Sequence, residues 1–330
     1  MKAVEIAGYG DVDQLRLVER PRPEPGPGQV LIAIEAAGVI FADTLLRREA
    51  YVFQPTFPYV PGREVAGRIV ATGQGVTDYA EGERVYAFMM GGGYADYVAA
   101  DVAGGTGPGG KPLGRLMYPI GDAPADQAIS HGSNLRIAHL ILHGRSSAQP
   151  GQTVLIHASA GGVGAHLVRL ANEHGMTVIA LAGSSEKATY AQESGADHVI
   201  EYRTCDYVEA VKALTGGQGA HLSINSVGAD TLTRDAAALR WEGEMVISGK
   251  AAGAGAIVPS DSGKSLTYKH FASYVHMGRP EDDRACEMVA REVLVPSHDD
   301  RIVAMPLTEV RCAHELLESG ASFGKIVLLP

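Results

Sequence analysis

Residues 153–164, TVLIHASAGGVG, decide the fold of this chain. The apolar start is typical of a buried strand, and the following residues, AHLVRLANEHG, have the spacing of a helix. Between them lies the pattern Ala158-x-x-Gly161-x-x-Gly164. Glycine at 161 lets the backbone approach a pyrophosphate, and glycine at 164 lets the helix pack closely on the strand. Strand, glycine turn and helix in this order predict a dinucleotide-binding loop, with a plain tight turn as the alternative.

Strands and helices alternate on the C-terminal side of this loop. Predicted strands TVIALAG, DHVIEY, HLSINSVG and EMVISGK are separated by predicted helices SEKATYAQESG, YVEAVKALTGG and DTLTRDAAALRWEG. This alternation predicts βαβ units and a parallel sheet. On the N-terminal side, residues 1–100 hold many short strands between glycine and proline turns. The fold class predicted is therefore α/β, with a Rossmann domain and a β-rich, partly barrel-like domain.

Composition excludes several classes of protein. A chain of 330 residues suggests about two domains. The net charge of −10 argues against a general nucleic-acid binder, which would usually be basic. The 3 cysteines are scattered without a CxxC pair, so neither a disulfide framework nor a zinc ribbon is predicted. Because no signal peptide and no apolar run of membrane length is recognised, we expect a cytoplasmic protein without a membrane span.

Glycine is in excess, with 41 of 330 residues, which indicates many tight turns. Part of the excess lies in 103–118, AGGTGPGGKPLGRLMY. A surface loop is the interpretation that such a composition favours, and a lid over the substrate is the alternative.

The end of the second predicted strand bears on the choice of cofactor. A site selective for NAD places Asp or Glu there, to bind the ribose 2′-hydroxyl. Residues 180–185, ALAGSS, contain no acid, whereas Lys187 follows one turn later and Tyr202-Arg203 end the third strand. The missing acid and the two cations favour a 2′-phosphate, and hence NADPH. Lys187 as an ordinary solvated lysine on a helix face is the alternative.

Taken together, seven stretches of the chain resemble the zinc-free quinone oxidoreductase and enoyl reductase branch of the medium-chain dehydrogenase/reductases. They are GVIFADTLLRREAY (38–51), FPYVPGREVAGRIVATG (57–73), GERVYAF (82–88), GGYADYV (92–98), HASAGGVG (157–164), SGADHVIEYR (194–203) and GKIVLLP (324–330). The resemblance implies a GroES-like catalytic domain at 1–124 and 266–330, and a Rossmann NADPH-binding domain at 125–265. It also implies a homodimer that acts on a small-molecule substrate.

The zinc positions of related enzymes are altered here. Zinc-dependent relatives place Cys near the position of Ile40 and His beside a Gly-x-Glu, which in this chain is Gly62-Arg63-Glu64. The zinc sites of these relatives need N or S ligands in a tetrahedral set. Because these positions lack them and the 12 histidines are scattered along the chain, we predict no metal.

The predicted cofactor-binding residues follow from the loop, the strand ends and the resemblance. They are Ser159, Ala160, Gly161, Gly162, Val163, Gly183, Ser184, Lys187, Tyr202, Val227 and Gly249. The predicted substrate pocket contains Ile40, Tyr51 and Ile137.

The chemistry that the resemblance implies is hydride transfer to an activated double bond, followed by protonation of the enolate. Tyr51 matches the family tyrosine near the nicotinamide, and a phenol can donate a proton to an enolate within hydrogen-bond reach. Alternatively, Tyr51 lines the pocket and water is the donor. Asp43 matches a family acid on the same segment and is the second catalytic candidate. Helix capping or a structural hydrogen bond is the other interpretation of Asp43.

Departures from the family pattern affect the predicted substrate. Ile40 stands where the family usually has Asn, Ile137 where it has Thr, and Asn225 where Asp is common. The first two changes indicate a drier pocket and weaken a direct transfer of quinone activity. The leading prediction is an NADPH-dependent reductase of an α,β-unsaturated carbonyl. An NADPH:quinone oxidoreductase and a non-catalytic NADPH-binding protein are the alternatives.

Overall fold

The computed structural model describes residues 1–107, 110, 114, 116–252, 263–276 and 279–330. The chain forms two compact units, one of Met1–Arg136 with Met277–Pro330 and one of Ile137–His276. The domain limits predicted from the sequence stay a prediction. Of the glycine-rich stretch 103–118, residues 108, 109, 111–113 and 115 lie outside the described part. Among the described residues, no helix is long and apolar enough to cross a membrane.

The first unit is built on β-structure from both ends of the chain. Its described strands are β1 (Lys2–Glu5), β2 (Arg16–Glu19), β3 (Gln29–Val39), β4 (Glu64–Thr72), β5 (Arg84–Phe88), β6 (Tyr97–Asp101), β7 (Met117–Pro119), β14 (Ile302–Pro306) and β15 (Lys325–Leu329). β1 pairs with β2, and the others form a sheet in the order β14-β15-β3-β4-β5-β7, with β6 also on β3. Its helices are α1 (Phe41–Arg47), α8 (Pro280–Leu294), α9 (Val310–Glu318) and most of α2 (Ala125–His139).

The apolar pattern of β3 explains why this sheet has a buried centre. Val30, Ile32 and Val39 of β3 are at most 3% exposed, and Val65 and Ile69 of β4 are fully buried. Buried residues at consecutive positions, 30–32 and 36–39, show that both faces of β3 are covered there. The C-terminal strand β15 pairs antiparallel with β3, so the end of the chain completes the sheet that its beginning starts.

The second unit contains an entirely parallel sheet in its described part. The strands are β8 (Thr153–Ile156), β9 (Thr177–Ala182), β10 (His198–Glu201), β11 (Ala220–Asn225), β12 (Leu239–Ile247) and β13 (Thr267–His270). They lie in the order β10-β9-β8-β11-β12-β13. The helices are α3 (Gly162–Glu173), α4 (Ser185–Glu193), α5 (Tyr207–Leu214), α6 (Thr231–Ala238) and α7 (Ser273–His276). The strand order reverses between β8 and β11, and ligands of such sheets bind at the carboxyl ends beside that point.

These two architectures confirm the predicted fold class, while one helix boundary and one strand differ from the prediction. The helix predicted over DTLTRDAAALRWEG ends at Ala238, because buried Leu239 pairs with Ala220 as the first residue of β12. Burial in the sheet outweighs the helical periodicity of the sequence. Strand β14, IVAMP, was not predicted; it lies at the sheet edge, where its terminal Pro306 is tolerated.

Candidate functional site

The glycine loop after β8 is shaped to hold an anion. Helix α3 begins at Gly162 with Gly161 as its N-cap, and Ala158 has a left-handed φ of +49°. A Cβ on Gly164 would lie 2.0 Å from the Ala158 carbonyl oxygen, so only glycine fits there. Gly161, Gly162 and Val163 remain partly exposed. The first N–H groups of a helix lack intrahelical partners, and with the helix dipole they favour a phosphate.

Ser159 and Ala160 hold this loop rather than present side chains to solvent. Ser159 is fully buried, and its hydroxyl donates to the Leu181 carbonyl oxygen at 2.9 Å. Ala160 is 4% exposed. Ser159 therefore ties the loop to β9, and its contribution to a cofactor site comes through the position of the backbone.

The ends of β9 and β10 bring together the residues predicted for the adenosine side of the cofactor. A Cβ on Gly183 would lie 2.8 Å from the Tyr202 hydroxyl. Ser184 caps α4, where its Oγ accepts from the Lys187 N–H at 3.4 Å and donates to Glu186 Oε2 at 3.0 Å. An acid thus lies in the first turn of α4, although none ends the strand.

A pair of cations lies at the same end of the sheet. Partial burial, together with the positive charge of Arg203, lowers the pKa of Lys187. Two neighbouring cationic side chains are the charge arrangement that a doubly charged anion such as a 2′-phosphate requires. Arg203 was noted in the sequence beside Tyr202 but was not among the predicted site residues.

The turns after β11 and β12 lie against each other and carry Val227 and Gly249. The Asn225 Oδ1 atom accepts from the backbone N–H groups of Val227, at 3.0 Å, and Gly228, at 2.8 Å. A Cβ on Gly249 would lie 2.5 Å from the Ser226 carbonyl oxygen. All predicted cofactor-binding residues therefore follow the carboxyl ends of parallel strands in the second unit.

Beneath the loop lies a buried polar network that sequence analysis missed. Its centre is Asp235 of α6, which is fully buried and accepts from His157 Nε2 at 2.8 Å, Tyr207 Oη at 2.8 Å and Asn225 Nδ2 at 2.8 Å. The Ser223 hydroxyl also donates to it. Burial acts to raise the pKa of Asp235, but His157 and these hydrogen bonds hold it below its usual value. The network fixes His157, at the start of the loop, to the end of β11.

The two predicted catalytic residues of the first unit are linked by Arg63. Asp43 lies in the first turn of α1, and its Oδ1 is 3.7 Å from Arg63 Nε. The Arg63 guanidinium carbon lies 4.3 Å from the ring centroid of Tyr51. Asp43 and Arg63 are 1% and 2% exposed, whereas Tyr51 is half-buried. A cation in this position attracts the aromatic face and fixes the ring.

Arg63 is charged in spite of its burial. Burial alone would lower the pKa of Arg63, but Asp43 and the phenols of Tyr51 and Tyr59 favour the charged form and raise it. Arg63 was not among the predicted site residues and entered the predictions only as part of the Gly62-Arg63-Glu64 segment that matches a zinc position of related enzymes. The signal that could have identified it is an arginine within the apolar surroundings of FPYVPGREVAG.

Two further buried groups complete this cluster. The Tyr94 hydroxyl donates to Asp43 Oδ2 at 3.2 Å and lies 3.2 Å from His314 Nε2. Burial raises the pKa of Asp43 to about 6, although Arg63 acts to lower it. Burial and the charge of Arg47 lower the pKa of His314 to about 3. At neutral pH the cluster therefore contains an ionised Asp43 and a neutral His314.

The remaining predicted pocket residues are Ile40 and Ile137. Ile40 directly precedes α1 and makes no side-chain cap, whereas the usual Asn of the resembled family is among the best N-cap residues. Ile40 and Tyr51 belong to the first unit, and half-buried Ile137 belongs to α2 at the start of the second.

Comparison with known families places both units among dehydrogenases. Residues 26–108 match the family described as "Alcohol dehydrogenase GroES-like domain", and residues 162–286 match the family described as "Zinc-binding dehydrogenase". The chain is similar to the 2-haloacrylate reductase of a Burkholderia species, with 34% identity over 93% of this chain and 92% of the relative. It is 30% identical to the quinone oxidoreductase of Rattus norvegicus over 76% of this chain and 73% of the relative.

Comparison with solved structures also finds similarity to a quinone oxidoreductase. The solved structure of Escherichia coli quinone oxidoreductase complexed with NADPH superimposes with a TM-score of 0.85, 27% identity and coverage of 100% of both chains.

Proposed function

Because the chain belongs to the zinc-free quinone oxidoreductase and enoyl reductase branch of the medium-chain dehydrogenase/reductases, we propose that it reduces the double bond of an α,β-unsaturated carbonyl with NADPH. The observation that carries this proposal is the half-buried phenol of Tyr51, fixed over the Arg63 guanidinium. Reduction of such a double bond requires an acid for the enolate, and a phenol can serve as one. The related 2-haloacrylate reductase supports this substrate class, because a haloacrylate is an alkene conjugated to a carboxylate.

The second unit has the residues that NADPH requires. The partly exposed start of α3 would hold the pyrophosphate, and Lys187 with Arg203 would hold the 2′-phosphate. The close packing of Gly164 against the Ala158 carbonyl, which leaves no room for a side chain, fits this interpretation of the loop. When bound, NADPH supplies the hydride, and the protein supplies position and electrostatics.

In the first unit we assign different roles to Tyr51 and Asp43. Tyr51 is the proton donor, because its ring is partly exposed; the Tyr59 phenol, which is also partly exposed, donates its hydroxyl to the Met90 carbonyl oxygen. Asp43 is 1% exposed and lies between Arg63 and Tyr94, so we assign it a positioning role for Arg63. The apolar side chain of Ile40 favours an apolar portion of the substrate.

Quinone reduction is the second candidate function, supported by the rat and Escherichia coli relatives. A non-catalytic NADPH-binding protein is the third. From the family relationship we also propose that the protein forms a homodimer and is located in the cytoplasm.

A substrate panel tests the function. NADPH oxidation is followed at saturating cofactor with enones, enoyl thioesters, 2-haloacrylates and quinones, and with NADH in parallel. We expect turnover with one of the conjugated alkenes and a preference for NADPH. Turnover with quinones alone would contradict the proposed substrate class, and tight NADPH binding without any turnover would favour the non-catalytic alternative.

Replacement of Tyr51 tests the proposed acid. Tyr51→Phe removes the hydroxyl but keeps the ring over Arg63, so we expect kcat to fall by roughly 10²–10⁴-fold, the usual contribution of a general acid. The dissociation constant for NADPH should stay within about twofold, as measured by fluorescence titration. A kcat equal to that of the wild type would show that water supplies the proton.

Replacement of Lys187 tests the cofactor preference. Lys187→Ala removes a charge-assisted contact to the 2′-phosphate, worth about 1.5–3 kcal/mol, so we expect NADPH to bind about 10–150-fold more weakly while NADH binding changes little. Arg203→Ala should act in the same direction. Lys212→Ala is the matched control, because Lys212 lies on α5 and pairs with Glu209. An equal loss for both cofactors in Lys187→Ala would contradict the assignment.

A further inference from the structure

We propose that His131, His298 and Asp300 of the first unit form a binding site for a divalent transition-metal ion of the zinc type. One ligand atom of each residue lies within 4.8 Å of the ligand atoms of the others. His131 is fully buried and Asp300 is 7% exposed, while His298 is partly exposed and gives the cluster a route to solvent. Two imidazoles and one carboxylate are a ligand set that zinc, cobalt and nickel accept.

The hydrogen bonding of His131 makes Nδ1 its candidate ligand atom. It lies on α2, and its Nε2 is 3.0 Å from the carbonyl oxygen of His298. Because a carbonyl oxygen can only accept, Nε2 carries the proton and the lone pair of the ring is on Nδ1. Metal-binding histidines characteristically donate the second ring N–H to a carbonyl or carboxylate in this way.

His298 has the complementary arrangement. Its Nδ1 lies 2.9 Å from the Ser297 hydroxyl, and its Nε2 lies 3.5 Å from Asp300 Oδ1. That distance is long for a hydrogen bond between an imidazole and a carboxylate. Two ligands of a tetrahedral zinc ion, each about 2.0–2.1 Å from the metal, are separated by about 3.3 Å. The spacing of Nε2 and Oδ1 thus fits two ligands of one ion.

Asp300 is held in place by α2. Its Oδ2 accepts from the Ser130 hydroxyl at 2.7 Å, which directs Oδ1 to His298. Its backbone N–H donates to Gln127 Oε1 at 2.8 Å, and its backbone carbonyl oxygen accepts from Gln127 Nε2 at 3.0 Å. Each of the three candidate ligands therefore has a hydrogen-bonding partner that fixes it, which is the support that metal sites require.

This site is separate from the zinc positions of related dehydrogenases, which correspond to Ile40 and the Gly62-Arg63-Glu64 segment. The proposed site departs from the prediction, made from the sequence, that the chain binds no metal, because histidines that are scattered along the sequence are brought together here. The ordinary alternative for the cluster is a His–Asp hydrogen-bond network without an ion. Metal titration separates the two, because only the metal site gives stoichiometric binding that depends on all three side chains.

The test uses tag-free full-length protein that has been treated with a chelator and then titrated with Co²⁺. We expect one Co²⁺ per chain, with the visible absorption of a low-symmetry N/O site, and displacement by Zn²⁺. His298→Ala and Asp300→Asn should weaken binding by more than about 100-fold, and Ser130→Ala, which removes only a supporting contact, by roughly 10-fold. His198→Ala, at an exposed histidine of β10, is the matched control and should leave binding unchanged.

Three results would overturn the proposal. They are an absence of saturable Co²⁺ binding, a stoichiometry well above one per chain, and binding that survives in both His298→Ala and Asp300→Asn. Circular dichroism and melting curves of the metal-free variants establish that they are folded. His298 is partly exposed, so its replacement should leave the fold intact.

Discussion

Gly164→Ala is expected to eliminate detectable NADPH binding, with a loss of affinity of about 100-fold or more. The new Cβ would lie 2.0 Å from the Ala158 carbonyl oxygen and 2.9 Å from the Ser159 Cα, and both of these are backbone atoms. The loop must shift to accept it, which moves the N–H groups at the start of α3 that would hold the pyrophosphate. Overpacking of this kind also costs about 1–3 kcal/mol of stability.

Two control variants distinguish the effect of a changed loop shape on NADPH binding from the effect of replacing a glycine as such. In Gly161→Ala the added Cβ would lie 3.3 Å from the Ala158 oxygen, so the fold should be kept and NADPH binding weakened to a smaller degree. In Gly8→Ala the added Cβ meets no atom within 4 Å, so binding and stability should equal those of the wild type. Isothermal titration with NADPH gives the three affinities. Wild-type affinity in Gly164→Ala would contradict the assignment of the loop.

Asp235→Ala is expected to lower the free energy of unfolding by about 3–5 kcal/mol at pH 7, since it leaves a buried polar cluster without its acceptor. His157, Tyr207, Ser223 and Asn225 all donate to this carboxylate. Because the pKa of Asp235 is lowered in the folded protein, the stability that its ionisation contributes is complete above the ordinary value of 3.8. It is lost as the pH falls through the folded pKa, which lies below that value.

Urea unfolding at pH 7 and at successively lower pH measures this effect. The difference between the wild type and Asp235→Ala should be largest at neutral pH and should shrink in acid. Asp230→Ala is the control, because Asp230 is exposed at the start of α6 and makes no side-chain cap; its replacement should change stability by less than about 0.5 kcal/mol. Equal effects of the two replacements would contradict a central role for Asp235.

Local sequence patterns explain why much of the predicted cofactor-binding site in the second unit could be predicted from the sequence. The strand, turn and helix of residues 153–173 are contiguous, and Gly164 has a local steric reason. The residues at the ends of β9, β11 and β12 then follow from parallel topology, because the carboxyl ends of parallel strands lie at one edge. The boundary at Leu239 could not be predicted, since pairing with Ala220 overrides the periodicity of the preceding helix.

The polar clusters could not be found in the sequence, because their members are distant along the chain. His157 and Asp235 are 78 positions apart, Tyr94 and His314 are 220 apart, and His131 and His298 are 167 apart. No periodicity of strands or helices relates such residues, and only the tertiary fold brings them together. Arg63 differs, since its place in a known motif was visible, but its contact with the Tyr51 ring was not.

Hydride transfer is measured directly by following deuterium from NADPH that is labelled at both C4 positions of the nicotinamide into the product of an accepted enone. We predict a saturated carbonyl compound that carries one deuterium at the carbon β to the carbonyl, with a hydrogen from solvent at the α-carbon. Mass spectrometry and NMR of the product locate both atoms. A reduced enone without deuterium at the β-carbon would contradict the proposed function. Consumption of the labelled cofactor only in the presence of quinones would also contradict it.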